Sequence, residues 1–66
     1  MEFRTEKRLY EINRSKTKGR NGLHRYNVIE RLIRGHKLST ARYFYVHAKN
    51  LKDAFKRMEK GEGIEK

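Results

Sequence analysis

The residues best suited to chemistry lie in one short basic segment of the 66-residue chain. The segment reads Ser-Lys-Thr-Lys-Gly-Arg-Asn-Gly from Ser15 to Gly22 and holds no acid; Arg14 precedes it and Arg25 follows three residues after it. A basic, glycine-containing loop can follow a phosphate backbone, because Lys and Arg neutralise phosphates without needing a fixed geometry. We therefore expect residues 14–25 to contact phosphate through their five cations, Arg14, Lys16, Lys18, Arg20 and Arg25.

The distribution of charge supports this expectation. Eighteen Lys and Arg against eight Asp and Glu give a net charge of +10. Residues 1–11 and 53–66 are each neutral, whereas residues 12–52 hold eleven basic residues and a single acid, Glu30. The whole excess of positive charge therefore lies in the central part of the chain, which favours an anionic partner.

Composition argues against most enzymes and metal proteins. The chain has no cysteine, which excludes a disulfide scaffold, a zinc finger and a thiol nucleophile. His24, His36 and His47 lack metal-ligand spacing, and no P-loop motif is present. A domain of this size buries only about 60% of its unfolded surface, which leaves little room for a water-excluding pocket. We expect a protein without enzymatic activity, metal or cofactor.

The chain also lacks the marks of a membrane or secreted protein. It has no run of about eighteen apolar residues and no hydrophobic signal-peptide core near Met1. We expect a cytoplasmic protein that makes no membrane contact.

Three strands and one helix can be placed from the residue pattern. Residues 7–14 and 38–48 have strand character, the latter around the aromatic run from Tyr43 to Tyr45. Asn50 is a good helix N-cap, and apolar residues then recur at helical spacing. We predict a helix over residues 51–60 with one apolar face, formed by Leu51, Ala54, Phe55 and Met58.

The segment 24–34 fits either a strand or a helix, and cross-strand pairing favours the strand. Three rows across the sheet match well: Ile12–Tyr26–Val46, Tyr10–Val28–Phe44 and Arg8–Glu30–Arg42. The predicted fold is α+β, a three-stranded antiparallel β meander packed against one C-terminal α-helix, in a single domain over residues 1–60. Residues 61–66 are predicted to form a flexible tail. The alternative is a β-α-β-α order with residues 22–34 helical.

The predicted sheet has two different faces. The inner face is apolar and packs on the helix, whereas the outer face mixes tyrosine, asparagine and arginine. Tyrosine can stack on bases, asparagine can read adenine edges, and arginine can reach phosphates or guanine. The outer-face residues expected to contact nucleic acid are Asn27, Arg31, Tyr43 and Tyr45.

This layout resembles the small amino-terminal arm-binding domains of some phage and transposon tyrosine recombinases. Those domains also have three antiparallel strands followed by a helix, and they lay a basic sheet into the major groove of DNA. The resemblance covers the order of elements over residues 7–60, rests on no motif and carries over no residue role.

Two functions from different classes follow from the sequence. The first is a small basic nucleic-acid-binding protein, for DNA or RNA, that uses the loop and the outer face. The second is a protein-interaction module of viral or mobile-element type, which docks on an acidic host partner through exposed apolar residues. Leu9, Ile29 and Tyr43 of the outer face could also form a homodimer interface.

Overall fold

The computed structural model describes all residues from Met1 to Lys66. It contains six strands and one helix, which is nine residues long and too short to cross a membrane. In chain order the elements are β1 (Glu2–Arg4), β2 (Arg8–Arg14), β3 (His24–Arg34), β4 (Lys37–Leu38), β5 (Arg42–Ala48), α1 (Leu51–Glu59) and β6 (Ile64–Glu65).

The α+β class, with an antiparallel sheet and one C-terminal helix, is confirmed. The sheet has six strands instead of three, in the order β1-β2-β3-β5-β6, with β4 also paired to β3. The three predicted strands form its centre, and each of the three additional strands has only two or three residues. The alternative in which residues 22–34 are helical is wrong, because residues 24–34 form β3, the longest strand of the sheet.

The register of β3 against β5 is the predicted one. All three expected cross-strand pairs are present: Tyr26–Val46, Val28–Phe44 and Glu30–Arg42. These pairs join apolar or oppositely charged side chains, which stabilises this register over its neighbours.

The register of β2 against β3 differs from the prediction by two residues. Ile12 faces Val28 instead of Tyr26, and Tyr10 faces Glu30 instead of Val28. A two-residue shift leaves every side chain on its predicted face, so the apolar pattern does not separate the two registers. Arg8 now faces Leu32, yet its guanidinium still lies 3.8 Å from the carboxylate of Glu30.

The core lies between the inner face of the sheet and α1. Its buried apolar residues come from β2, β3, β5 and α1: Tyr10, Ile12, Tyr26, Val28, Val46, Ala48, Ala54 and Met58. Phe55 closes one side of this core, where its ring stacks on Phe3 at 4.8 Å and meets the ring of Tyr10 edge-on at 5.7 Å. Phe3 belongs to β1, so this short edge strand contributes to the core that the helix covers.

The start of α1 is fixed by hydrogen bonds to the side chains of Asn50 and Asp53. The side chain of Asn50 accepts a hydrogen bond from the backbone nitrogen of Asp53 at 2.8 Å. The Asp53 carboxylate accepts hydrogen bonds from the backbone nitrogen of Lys49 at 3.0 Å and from Arg57 at 3.1 Å. The Lys49 hydrogen bond lowers the pKa of Asp53, and the Arg57 charge acts in the same direction. The sequence signal at Asn50 therefore marks a real helix start.

Residues 61–66, predicted to form a flexible tail, include the edge strand β6. Glu65 faces Phe44 and Ile64 faces Tyr45 across the β5–β6 pair. Arg42 donates two hydrogen bonds to the Glu65 carboxylate, at 3.1 and 3.2 Å. These hydrogen bonds, and the charge of Glu65, raise the pKa of Arg42 above its ordinary value.

Candidate functional site

The cationic loop, residues 14–25, folds around a cleft of about 320 Å³ at the β2–β3 end of the sheet. We call this the loop cleft. Ten residues line it, and only Leu23 among them is hydrophobic. Four of the five predicted phosphate-contacting cations are in the lining: Arg14, Lys16, Lys18 and Arg25.

The backbone of the loop builds the cleft in two steps. At the base, the backbone nitrogen of Ser15 donates to the carbonyl of Arg25 at 2.8 Å, which extends the hairpin by one step. At the tip, the backbone nitrogen of Leu23 donates to the carbonyl of Arg20 at 2.9 Å. The two residues between them, Asn21 and Gly22, have φ of 52° and 75°, so the Asn-Gly pair forms a tight turn inside the longer loop.

Gly19 allows the two sides of the loop to approach each other. A side-chain carbon at this position would overlap the carbonyl oxygen of Leu23 on the opposite side. Only glycine fits so close to another backbone segment. The shape of the cleft therefore depends on a residue that carries no charge.

The cations of the loop have no acidic partners. Every ion pair of the protein involves Arg8, Arg42 or Arg57, and none involves a residue of the cationic loop. Arg14 instead donates a hydrogen bond to Nδ1 of His24 at 2.8 Å, which requires that nitrogen to act as the acceptor. The positive charge of the loop is therefore available to an external anion.

Arg25 connects the loop cleft to the outer face of the sheet. Its guanidinium carbon lies 3.9 Å from the ring centroid of Tyr45, which is a close cation–π contact. Its Nε is buried and has no hydrogen-bond partner. A buried donor without a partner is unusual in a folded protein, which distinguishes Arg25 from the other loop cations.

The remaining predicted site residues occupy different environments. Arg20 lies in the turn at the loop tip and outside the cleft lining. Asn27 is half-buried on the outer face, where its side-chain oxygen accepts a hydrogen bond from Lys66 at 2.9 Å. Arg31 faces Leu9 across β2 and β3 and is also half-buried.

The two tyrosines of the outer face are not equivalent. Tyr43 is 53% exposed, and its ring is open to solvent. Tyr45 is half-buried, with Arg25 over one side of its ring and His47 edge-on at 6.0 Å. Tyr43 is thus free to stack on a base, whereas Tyr45 holds an arginine in place.

Sequence reasoning missed His24 and Gly19 as parts of the site. No spacing rule identifies either of them, because each acts through a contact across the loop. A second basic tip, at the β3–β4 turn, was also not assigned. Arg34 and Lys37 face each other there across the turn, and both are exposed.

The chain matches no protein-family model, no curated protein and no solved structure.

Proposed function

We propose that this protein is a small, non-enzymatic nucleic-acid-binding protein that contacts phosphates through the cationic loop and bases through the outer face. One observation carries the proposal. The loop gathers four cations around a cleft with no carboxylate near them, while the basic residues elsewhere in the sheet and helix include three arginines held in ion pairs.

Phosphate binding by the loop cations gains free energy from counterion release. Each phosphate that a Lys or Arg neutralises releases bound cations, which contributes about 0.9 to the slope of log K against log salt on duplex DNA. The five loop cations would then supply a slope of about −4 to −5. Binding of this kind depends on salt and little on sequence.

The outer face adds groups that can contact bases, whereas the loop cations contact phosphates. The open ring of Tyr43 can stack on an unpaired base, and the side-chain nitrogen of Asn27 remains free to donate. Asn27 and Tyr43 both lie on the outer face, on the neighbouring strands β3 and β5. A nucleic-acid strand that leaves the loop can therefore cross these two side chains next.

The test compares two triple variants that remove the same charge from different places. Lys16, Lys18 and Arg20 are changed to alanine in the first, and Lys52, Lys56 and Lys60 of the exposed helix surface in the second. At about 0.1 M salt the loop variant should bind duplex DNA several hundredfold more weakly than the parent protein. The helix variant should lose less than about tenfold.

Fluorescence anisotropy with labelled DNA and RNA measures both affinities. Equal losses in the two variants would mean that bulk charge, and not the loop, governs binding. No binding to any oligomer at low salt would remove the proposal altogether.

The second candidate function is docking on an acidic protein partner. It is favoured by the outer-face pair of Ile29 and Tyr43, which face each other across β3 and β5 and place an exposed aromatic ring beside an apolar side chain. Tyr43→Ser should then abolish capture of the partner while leaving DNA affinity within about twofold. A variant that loses DNA affinity and keeps the partner would reject this candidate.

A further inference from the structure

We propose that the loop cleft binds a terminal phosphate group, the phosphomonoester at the end of a nucleic-acid strand. This inference rests on the proposed function, because it names which phosphate of the nucleic acid enters the cleft. It begins from the charges of the lining, where Arg14, Lys16, Lys18 and Arg25 surround one concave space with no acid to balance them.

The charge of the cleft suits a monoester better than a diester. A phosphodiester inside a strand has one negative charge, whereas a terminal phosphate carries about −1.5 to −2 at neutral pH. Four basic residues line this one small space, and their combined charge exceeds that of a diester several times over. The terminal group offsets more of that repulsion, so it gains more free energy on entering.

The supply of hydrogen-bond donors points to the same group. The backbone nitrogens of Lys16, Lys18, Gly19 and Gly22 all belong to lining residues, and none donates a hydrogen bond within the protein. A terminal phosphate offers three strong acceptor oxygens, one more than a phosphodiester, and can satisfy more of these donors at once.

The volume of the cleft limits what it can hold. At about 320 Å³ it lies at the small end of the range for ligand sites, which is roughly 300–1,000 Å³. A phosphate with its adjoining sugar fits such a space. With only one hydrophobic residue in the lining, the cleft offers no apolar surface for a base.

Gly19 provides a test that leaves the charge unchanged. Gly19→Ala would force a carbon into the Leu23 carbonyl and displace one side of the cleft, although the net charge stays at +10. Gly35→Ala, at the β3–β4 turn and outside the cleft lining, is the matched control. It also alters a turn glycine, here one with φ of +60°, and a side-chain carbon there would meet no atom within 4 Å.

The experiment measures the affinity of three single-stranded oligomers of one sequence: one with a 5′-phosphate, one with a 3′-phosphate, and one with hydroxyl ends. The hydroxyl oligomer is two nucleotides longer, so that total charge is matched. A phosphate at one of the ends should tighten binding about tenfold, as expected for one additional charge-assisted hydrogen bond. Gly19→Ala should remove this difference, and Gly35→Ala should keep it.

An NMR titration with inorganic phosphate alone provides an independent readout. The backbone amide signals of Lys16, Lys18 and Gly19 should shift and saturate, more weakly than with the phosphorylated oligomer. Equal affinity for all three oligomers, with no shift on phosphate, would overturn the inference and leave the proposed function standing. Shifts on phosphate without any oligomer binding would support the cleft and reject the proposed function.

One further outcome of the phosphate titration is decisive. Inorganic phosphate that saturates the cleft as tightly as the phosphorylated oligomer would show that the nucleic-acid strand contributes nothing to binding, which would overturn the strand-end assignment.

If Gly19→Ala does not fold, the double variant K16Q/K18Q replaces it, with K52Q/K56Q on the helix as control. The preference for the oligomer with a terminal phosphate should then fall in K16Q/K18Q and stay unchanged in K52Q/K56Q.

Discussion

The arginines of the sheet body and the cations of the loop are the same chemical groups in opposite situations. Arg8, Arg42 and Arg57 each have a carboxylate within 4.0 Å, from Glu30, Glu65, Asp53 or Glu62. None of the five cations of residues 14–25 has one. The protein therefore uses its paired arginines to hold strands and helix together, and leaves its unpaired cations where they can meet an external anion.

The comparison also separates stability from binding. The core and its aromatic contacts lie between the sheet and α1, whereas none of residues 14–25 belongs to that core. Surface changes away from buried contacts usually alter the free energy of unfolding by less than about 0.5 kcal/mol. Changes in the loop should thus alter binding with little effect on stability, and changes under the helix should do the reverse.

The largest effect on stability is expected for Phe55→Ala. The change removes the ring that stacks on Phe3 and touches Tyr10, and it should cost about 3 kcal/mol. Chemical denaturation measures the loss. Tyr43→Ala is the matched control, because that ring is 53% exposed and should cost well under 1 kcal/mol. If Phe55→Ala unfolds at the same denaturant concentration as the control, the helix does not support the core as described.

A smaller effect is expected for the two outer-face tyrosines, and it should differ between them. Tyr43→Ala should weaken single-stranded binding by about 1–2 kcal/mol and duplex binding much less, because only unpaired bases can stack on its open ring. Tyr45→Ala should weaken both to a similar extent, because it releases Arg25 from its position 3.9 Å above the ring. Anisotropy with matched single and double strands measures the contrast. Identical profiles for the two variants would mean that the loop and the outer face do not act separately.

The smallest effect concerns Asp53 and acid. Its pKa is lower in the folded protein than in the unfolded chain, mainly because of the Lys49 hydrogen bond. The stability that the ionised Asp53 carboxylate adds to the fold is therefore fully present above the ordinary Asp pKa of about 3.9. It is lost as the pH falls through the lower folded-state value. Unfolding curves should show Asp53→Asn less stable than the parent at neutral pH, with the gap narrowing below about pH 4. A constant gap across this range would show that the Asp53 charge does not stabilise the helix start.

The sequence predicted those parts of the fold that depend on pairs of side chains. The β3–β5 register followed from Tyr26–Val46 and Val28–Phe44, since other registers lose both apolar pairs. The β2–β3 register did not follow, because a shift of two residues leaves every side chain on the same face of the sheet. The edge strands β1 and β6 are too short to carry a periodic pattern.

The candidate site was predicted by charge but not by shape. The five cations could be read from the sequence because no acid interrupts them. The cleft depends on the approach of Gly19 to the Leu23 carbonyl and on the Asn21–Gly22 turn lying inside a longer loop. Backbone contacts of this kind leave no trace in the spacing of side-chain types. The inequality of Tyr43 and Tyr45 likewise arises from Arg25, which reaches Tyr45 across the strand.

The most direct test of the account is the salt dependence of DNA binding in two variants of equal charge. One replaces the unpaired Lys16, Lys18 and Arg20 with alanine, and the other replaces the paired Arg8, Arg42 and Arg57. The slope of log K against log salt should fall in magnitude by about 2.7 in the first variant and by less than about 1 in the second, measured on folded protein. Equal decreases in the two variants would contradict the claim that the loop cations, left unpaired in the fold, are the ones that bind nucleic acid.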